Sequence, residues 1–158
     1  MQIIGDIYPS PPGQPQNRHA KIIGSLKCSQ FNILKTVDFL IDSGASYTTL
    51  LPYDAVRLGI NFNILSDFPK PCCTATGLLT FPKVLPDVEL HLDRNDGNPN
   101  SEEIFVLPFI HCMPPPKRRK RQAIPQREIT YSLLGMDVLS NFLNWRWDFE
   151  AGVLYLNL

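Results

Sequence analysis

Apolar and polar residues alternate most cleanly over residues 81–92, with Val88, Leu90 and Leu92 on one side and Asp87, Glu89 and His91 on the other. A period of two puts successive side chains on opposite faces of a strand, so this stretch predicts a half-buried antiparallel strand. Residues 94–100 are a turn by composition, and residues 103–109 return as the partner strand of a hairpin. Shorter runs at 3–8, 20–27, 36–41, 131–134 and 152–158 also read as strands; in the third, Val37, Phe39 and Ile41 share a face and lead straight into a turn. Helical spacing is brief. Pro52 followed by Ala55, Val56 and Leu58 and then Gly59 predicts one or two turns, and Val138, Leu139 and Phe142 share one helical face. Residues 9–15, with four prolines, cannot supply continuous ladder donors and form a loop. The class is mainly β, and no internal repeat is found.

With 158 residues, 44% of them hydrophobic and 19% charged, the chain suits one domain over residues 1–158. Lys plus Arg equals Asp plus Glu at 15 each, which argues against wholesale coating of nucleic acid or anionic membrane. The longest apolar stretch, 104–110, is broken by Pro108 and is far below the ~20 residues that span a bilayer. Residues 1–12 lack the basic start and apolar segment of a secretory signal, so the expected compartment is the cytoplasm. The charge is unevenly spread: six basic and no acidic residues lie in 113–127, leaving nine basic against fifteen acidic elsewhere. Pro114, Pro115 and Pro116 followed by the run 117–121 predict a projecting loop inserted at about 113–128. A solvated loop is the plain reading; partner docking, a protease-sensitive site and a nuclear address are others. No interleaved aromatic platform accompanies the run, so nucleic acid is left out of the function.

The cysteines (Cys28, Cys72, Cys73, Cys112) lack paired zinc-site spacing, and neighbours such as Cys72 and Cys73 do not readily aim at one metal. They read as reduced, packed thiols, and no metal or cofactor is expected. A Cys-His hydrolase stays open as an alternative, since spacing does not decide spatial adjacency. The most pointed feature is Leu40-Ile41-Asp42-Ser43-Gly44-Ala45-Ser46, an apolar strand ending in a small-residue turn with a carboxylate at its tip. In isolation such a triplet reads as a plain turn in which Asp42 accepts backbone N–H bonds. Some 90 residues later, Leu133-Leu134-Gly135 precedes a short amphipathic helical turn beginning at Met136.

Taken together these motifs resemble the retropepsin-like aspartic proteases, over about residues 20–158. The resemblance rests on Leu40 to Ala45, on Thr74-Ala75-Thr76-Gly77 where the family places its flap, on Leu133-Leu134-Gly135, and on Trp147 to Leu156, which is similar to the C-terminal hairpin of prokaryotic members. It implies a closed or partly open barrel with short helices and one Asp-Ser-Gly motif per chain. It further implies that Asp42 is catalytic, that Ser43 and Gly44 support the loop, and that Gly44, Ala45, Ser46, Thr76 and Gly77 meet substrate. Two departures stand out: many retroviral members pair an Asp and an Arg where this chain has Ser46 and Met136, and the basic loop is an insertion. The apolar residues around Thr76 and Gly77 also fit an ordinary β-turn.

The implied chemistry needs two facing carboxylates that share a proton, one acting as base on a water and the other as acid toward the carbonyl. One triplet supplies one carboxylate, so a homodimer acting on an extended peptide or protein is expected. Residues 152–158 are expected at its interface, through a free strand edge. The competing expectation is a non-catalytic dimerisation or peptide-binding module on the same fold.

Overall fold

The computed structural model describes residues 2–8, 19–73, 79–115 and 131–158. Eleven strands, two short α-helices and two single 3₁₀ turns occur among them. β1 (Gln2–Tyr8), β2 (His19–Cys28), β3 (Ile33–Ile41), β4 (Thr49–Leu50) and α1 (Pro52–Arg57) form the first half. They are followed by β5 (Cys72–Cys73), β6 (Leu79–Thr80), β7 (Lys83–Asp93), β8 (Glu102–Cys112), β9 (Ser132–Leu134), α2 (Met136–Leu139), β10 (Asn144–Asp148) and β11 (Val153–Asn157). The long run 9–15 and the basic run 117–121 lie outside the described residues.

Strands β2, β3, β9, β4, β8 and β7 close into a six-stranded barrel, because β2 pairs with β3 along one edge and with β7 along the other. β1 takes the start of that second edge through Asp6, Ile7 and Tyr8, and β11 and β10 extend the sheet outward from β1. The alternation predicted around Val88 is realised: Val88, Leu90 and Leu92 are buried in one core with Leu26, Val37 and Phe39. Each such side chain contributes about 1.5–3 kcal/mol by leaving water. Proline at the start of α1 and Gly59 at φ 74 just past its end bound that helix as expected. At the other end of the barrel wall, α2 sinks Val138 and Leu139 into the core.

Four sequence expectations are corrected. β3 starts at Ile33, three residues early, because Leu34, Lys35 and Thr36 are all exposed and break the alternation there. β7 starts at Lys83, since Phe81 is exposed and Pro82 precedes the ladder. β8 runs on to Cys112 through Pro108, which is tolerated because the one pair missing from the β7–β8 ladder is the one it would make with Asp87, a residue at φ 51. Finally, β11 has no free edge: β1 flanks it on one side and β10 on the other, so the outer edge of the terminal hairpin belongs to β10.

Candidate active site

β3 and β9 run parallel, pairing Phe39 with Ser132, Leu40 with Leu133 and Ile41 with Leu134. This pairing brings the two most distant motifs of the chain side by side. Immediately beyond it, the Asp42 N–H donates to Leu134 O (3.1 Å), so the turn begins where the ladder ends. Ala45 N–H closes the turn on Asp42 O (3.1 Å), and Gly44 N–H donates to Asp42 Oδ1 (2.9 Å). A Cβ on residue 44 would lie 3.1 Å from that same oxygen, so glycine leaves the carboxylate uncrowded. Asp42 and Ala45 are half-buried, whereas Ser43, Gly44 and Ser46 are exposed. A rigidly held carboxylate at an open turn results.

The turn is fastened to α2 from behind. Met136 N–H donates to Ala45 O (2.8 Å) and Asp137 N–H to Ser46 O (3.2 Å). The Asp137 carboxylate accepts from Thr48 N–H (2.9 Å) and from the Thr48 hydroxyl (2.8 Å), and that hydroxyl accepts from Gly135 N–H (3.2 Å). A Cβ at residue 135 would meet Tyr47 C at 2.4 Å, so only glycine lets β9 pass this close. Where the sequence departs from the retroviral charge pair, the wall is thus held by backbone bonds and by a carboxylate one residue further on. Thr48 and Asp137 were not singled out in the sequence, where Asp137 reads as an ordinary acidic residue in a helix's first turn.

A second buried network braces the same wall. Ser132 hydroxyl donates to Asp54 Oδ2 (2.7 Å) and accepts from Leu51 N–H (3.2 Å), while Arg57 donates to Asp54 Oδ1 and to Thr36 O. Asp54 and Ser132 are both buried, so the guanidinium and hydroxyl satisfy a carboxylate that would otherwise be costly.

Beside the turn, Tyr47, Phe68, Phe109 and His111 form an aromatic cluster with ring centroids 4.4–5.8 Å apart. His111 is buried, its Nδ1 is 3.8 Å from Cys72 Sγ, and its Nε2 has no hydrogen-bond partner among the described residues. Burial lowers the affinity of this imidazole for a proton, the Asp137 charge opposing in part. Cys72 opens the small hairpin in which it pairs with Thr80 and Cys73 with Leu79. Thr76 and Gly77, expected at the tip of that hairpin, lie outside the described residues. Among the thiols, Cys28 and Cys112 are buried, and burial pushes the Cys112 thiol up to about 12. Among the described residues no group of three or more His, Cys, Asp or Glu is placed to hold a metal ion.

Of the sequence-predicted residues, then, Asp42, Ser43, Gly44, Ala45 and Ser46 share one turn, and Leu133, Leu134 and Gly135 lie directly against it. This barrel, with its turn and crossing glycine strand, defines a retropepsin-like fold. A solved retropepsin-like aspartic protease from Rickettsia conorii matches at a TM-score of 0.52 and 21% identity, over 99% of this chain and 90% of that one. No family model matches the sequence. No curated protein does either.

Proposed function

We propose that the chain is an aspartic endopeptidase that works as a homodimer, with Asp42 from each subunit holding a shared proton and activating the attacking water. The observation that carries the reading is the Asp42 turn itself: a half-buried residue whose carboxylate accepts from Gly44 N–H and whose backbone N–H donates to Leu134 O, at the end of a parallel strand pair. Ser43 is assigned to bridging the two turns. Gly44, Ala45 and Ser46 are assigned to contact with an extended peptide, and Thr76 and Gly77 to closing over it. The likeness to the Rickettsia protease supports the same chemistry at the level of the fold. Two carboxylates a few ångströms apart do not both ionise, so cleavage is expected to lean to acid pH and to fail once the pair has lost its shared proton.

The test is Asp42→Asn with an alkylated, unfolded casein as substrate. Cleavage should fall by roughly 10²–10⁴-fold, with unchanged circular dichroism and sedimentation. Normal turnover by the variant overturns the assignment. A protein that binds this substrate but never cuts it, at any pH between 3 and 8, is instead the non-catalytic module.

A further inference from the structure

Among the described residues, one wall of the barrel is not closed along its full length. β4 is two residues long and covers β8 only at His111 and Cys112, whereas β8 begins at Glu102. The direction of the uncovered backbone follows from the two donors that β4 does meet. His111 N–H donates to Thr48 O (3.0 Å) and Met113 N–H to Leu50 O (2.9 Å), so odd-numbered residues of β8 turn their N–H and C=O away from β7. Residues 103, 105, 107 and 109 therefore face the open side, where no described strand pairs with them. Pro108 does not interrupt this row, because its missing N–H belongs to the β7 side.

Two further observations make this edge unusual. Residues 104–109 are Ile, Phe, Val, Leu, Pro and Phe with no charge among them, and Ile104 and Val106 stand 49% and 76% exposed. Proteins usually guard a bare edge with lysine or another charge; here the row carries a charge at its start, Glu103, which is paired with Arg94, and none from 104 to 109. Alongside it runs a groove of about 530 Å³, bounded by Tyr47, Asp137, Asn141 and Leu158. Tyr47 directly follows Ser46, and the Asp137 N–H donates to Ser46 O, so the groove adjoins the turn that carries Asp42.

We propose that the open edge of β8 docks an extended, alternately apolar segment of the substrate polypeptide by strand addition, outside the stretch that is cut; this rests on the protease reading above. A row of backbone donors and acceptors repeating every second residue is satisfied by another extended backbone. The exposed Ile104 and Val106 then cover apolar side chains on one face of the added strand. Tyr47 and Phe109 receive side chains on the other. Continuity with the catalytic turn favours a segment of the chain being cut, because a second attachment raises the local concentration of the scissile stretch.

The first experiment does not depend on catalysis. In the Asp42→Asn protein, a fluorescein-labelled peptide of seven alternating Val and Thr residues with terminal lysines is titrated by anisotropy. Binding should be saturable and should weaken at least tenfold when alternate peptide amides are N-methylated. It should weaken equally with Val106→Lys, a change at an exposed site that should leave thermal melting unaltered. Amide exchange should slow at residues 105, 107 and 109. Binding indifferent to both changes overturns the proposal, as does a Val106→Lys variant whose main effect is to convert a dimer to monomer, which would make the edge a subunit contact.

The second experiment uses the wild-type chain and a fluorogenic peptide spanning one bond cut in casein, with or without the Val-Thr segment joined through a Gly-Ser spacer. The segment should lower KM about tenfold at constant kcat, and Val106→Lys should erase that gain while leaving the short peptide's kinetics unchanged. Equal KM for both peptides overturns the docking role even if the protein proves to be a protease. Tight edge binding with no cleavage of any substrate overturns the protease reading and, with it, the assignment of the docked segment to substrate.

Discussion

Gly135 carries the tightest steric constraint at the candidate site. Its missing side chain is what allows β9 to lie against the Tyr47–Thr48 backbone, with Asp42 beyond it. Gly135→Ala should therefore cost about 3 kcal/mol in urea denaturation, at the upper end of overpacking penalties, and should displace the turn. His111 offers a contrasting test. Its imidazole is buried with one nitrogen unpartnered, and burial holds its proton affinity low. The unfolded chain takes up that proton near pH 6.5, so the folded state loses stability as pH falls below that value and loses no more once the folded pKa is passed. His111→Phe keeps a ring in the cluster and removes the orphaned nitrogen. It should raise the melting temperature, and the gain should widen between pH 7 and pH 5. His91 has the opposite sign. Partial burial lowers its pKa, but hydrogen bonds to Glu102 and Glu89 outweigh this and raise it, so its contribution is lost as pH rises through that raised pKa.

At the scale of elements, legibility followed periodicity. β7 was readable because one face meets the core and the other meets water, which writes a strict alternation into Val88 to Leu92. β8 was cut short in the sequence because Ile110, His111 and Cys112 are all buried, erasing the alternation at its end. β4 was invisible, since two residues carry no period, and yet its Thr49 and Leu50 join β9 to β8 at the centre of the wall. The Asp42 turn was legible from its small residues, and Leu133 to Gly135 from their resemblance, but their meeting through a parallel pair is a tertiary fact. Asp137 and Thr48 escaped because their pairing spans 89 positions and has no local signature. The same holds for Ser132 and Asp54, where Ser132→Ala leaves a buried carboxylate oxygen and the Leu51 N–H short of a partner. That variant should lose about 2 kcal/mol in denaturant titration.

For the whole molecule, one turn supplies one carboxylate, so the proposed chemistry ties activity to assembly. Specific activity should fall on dilution, in step with the dimer fraction measured by sedimentation, because a solitary chain lacks half of the dyad. Full activity from a demonstrated monomer would contradict the mechanism. The terminal hairpin enters this prediction through β10 rather than β11, since β11 is already paired on both sides. Leu143, which is 82% exposed just ahead of β10, is the residue whose change to Asp should weaken the dimer while sparing the barrel.

The parallel pairing of β3 with β9 also sets an order of events in time. Pairings between distant parts of a chain form late, because the intervening loop must close before the contact repays its entropy. A chain emerging during synthesis exposes Asp42 long before Leu134 exists to hold it. The turn is therefore without its anchor until residue 134 of 158 has been made, and on the proposed mechanism a nascent chain would be silent toward its neighbours. Refolding from urea should show this as a lag, with strand signal recovering first and peptide cleavage only afterwards.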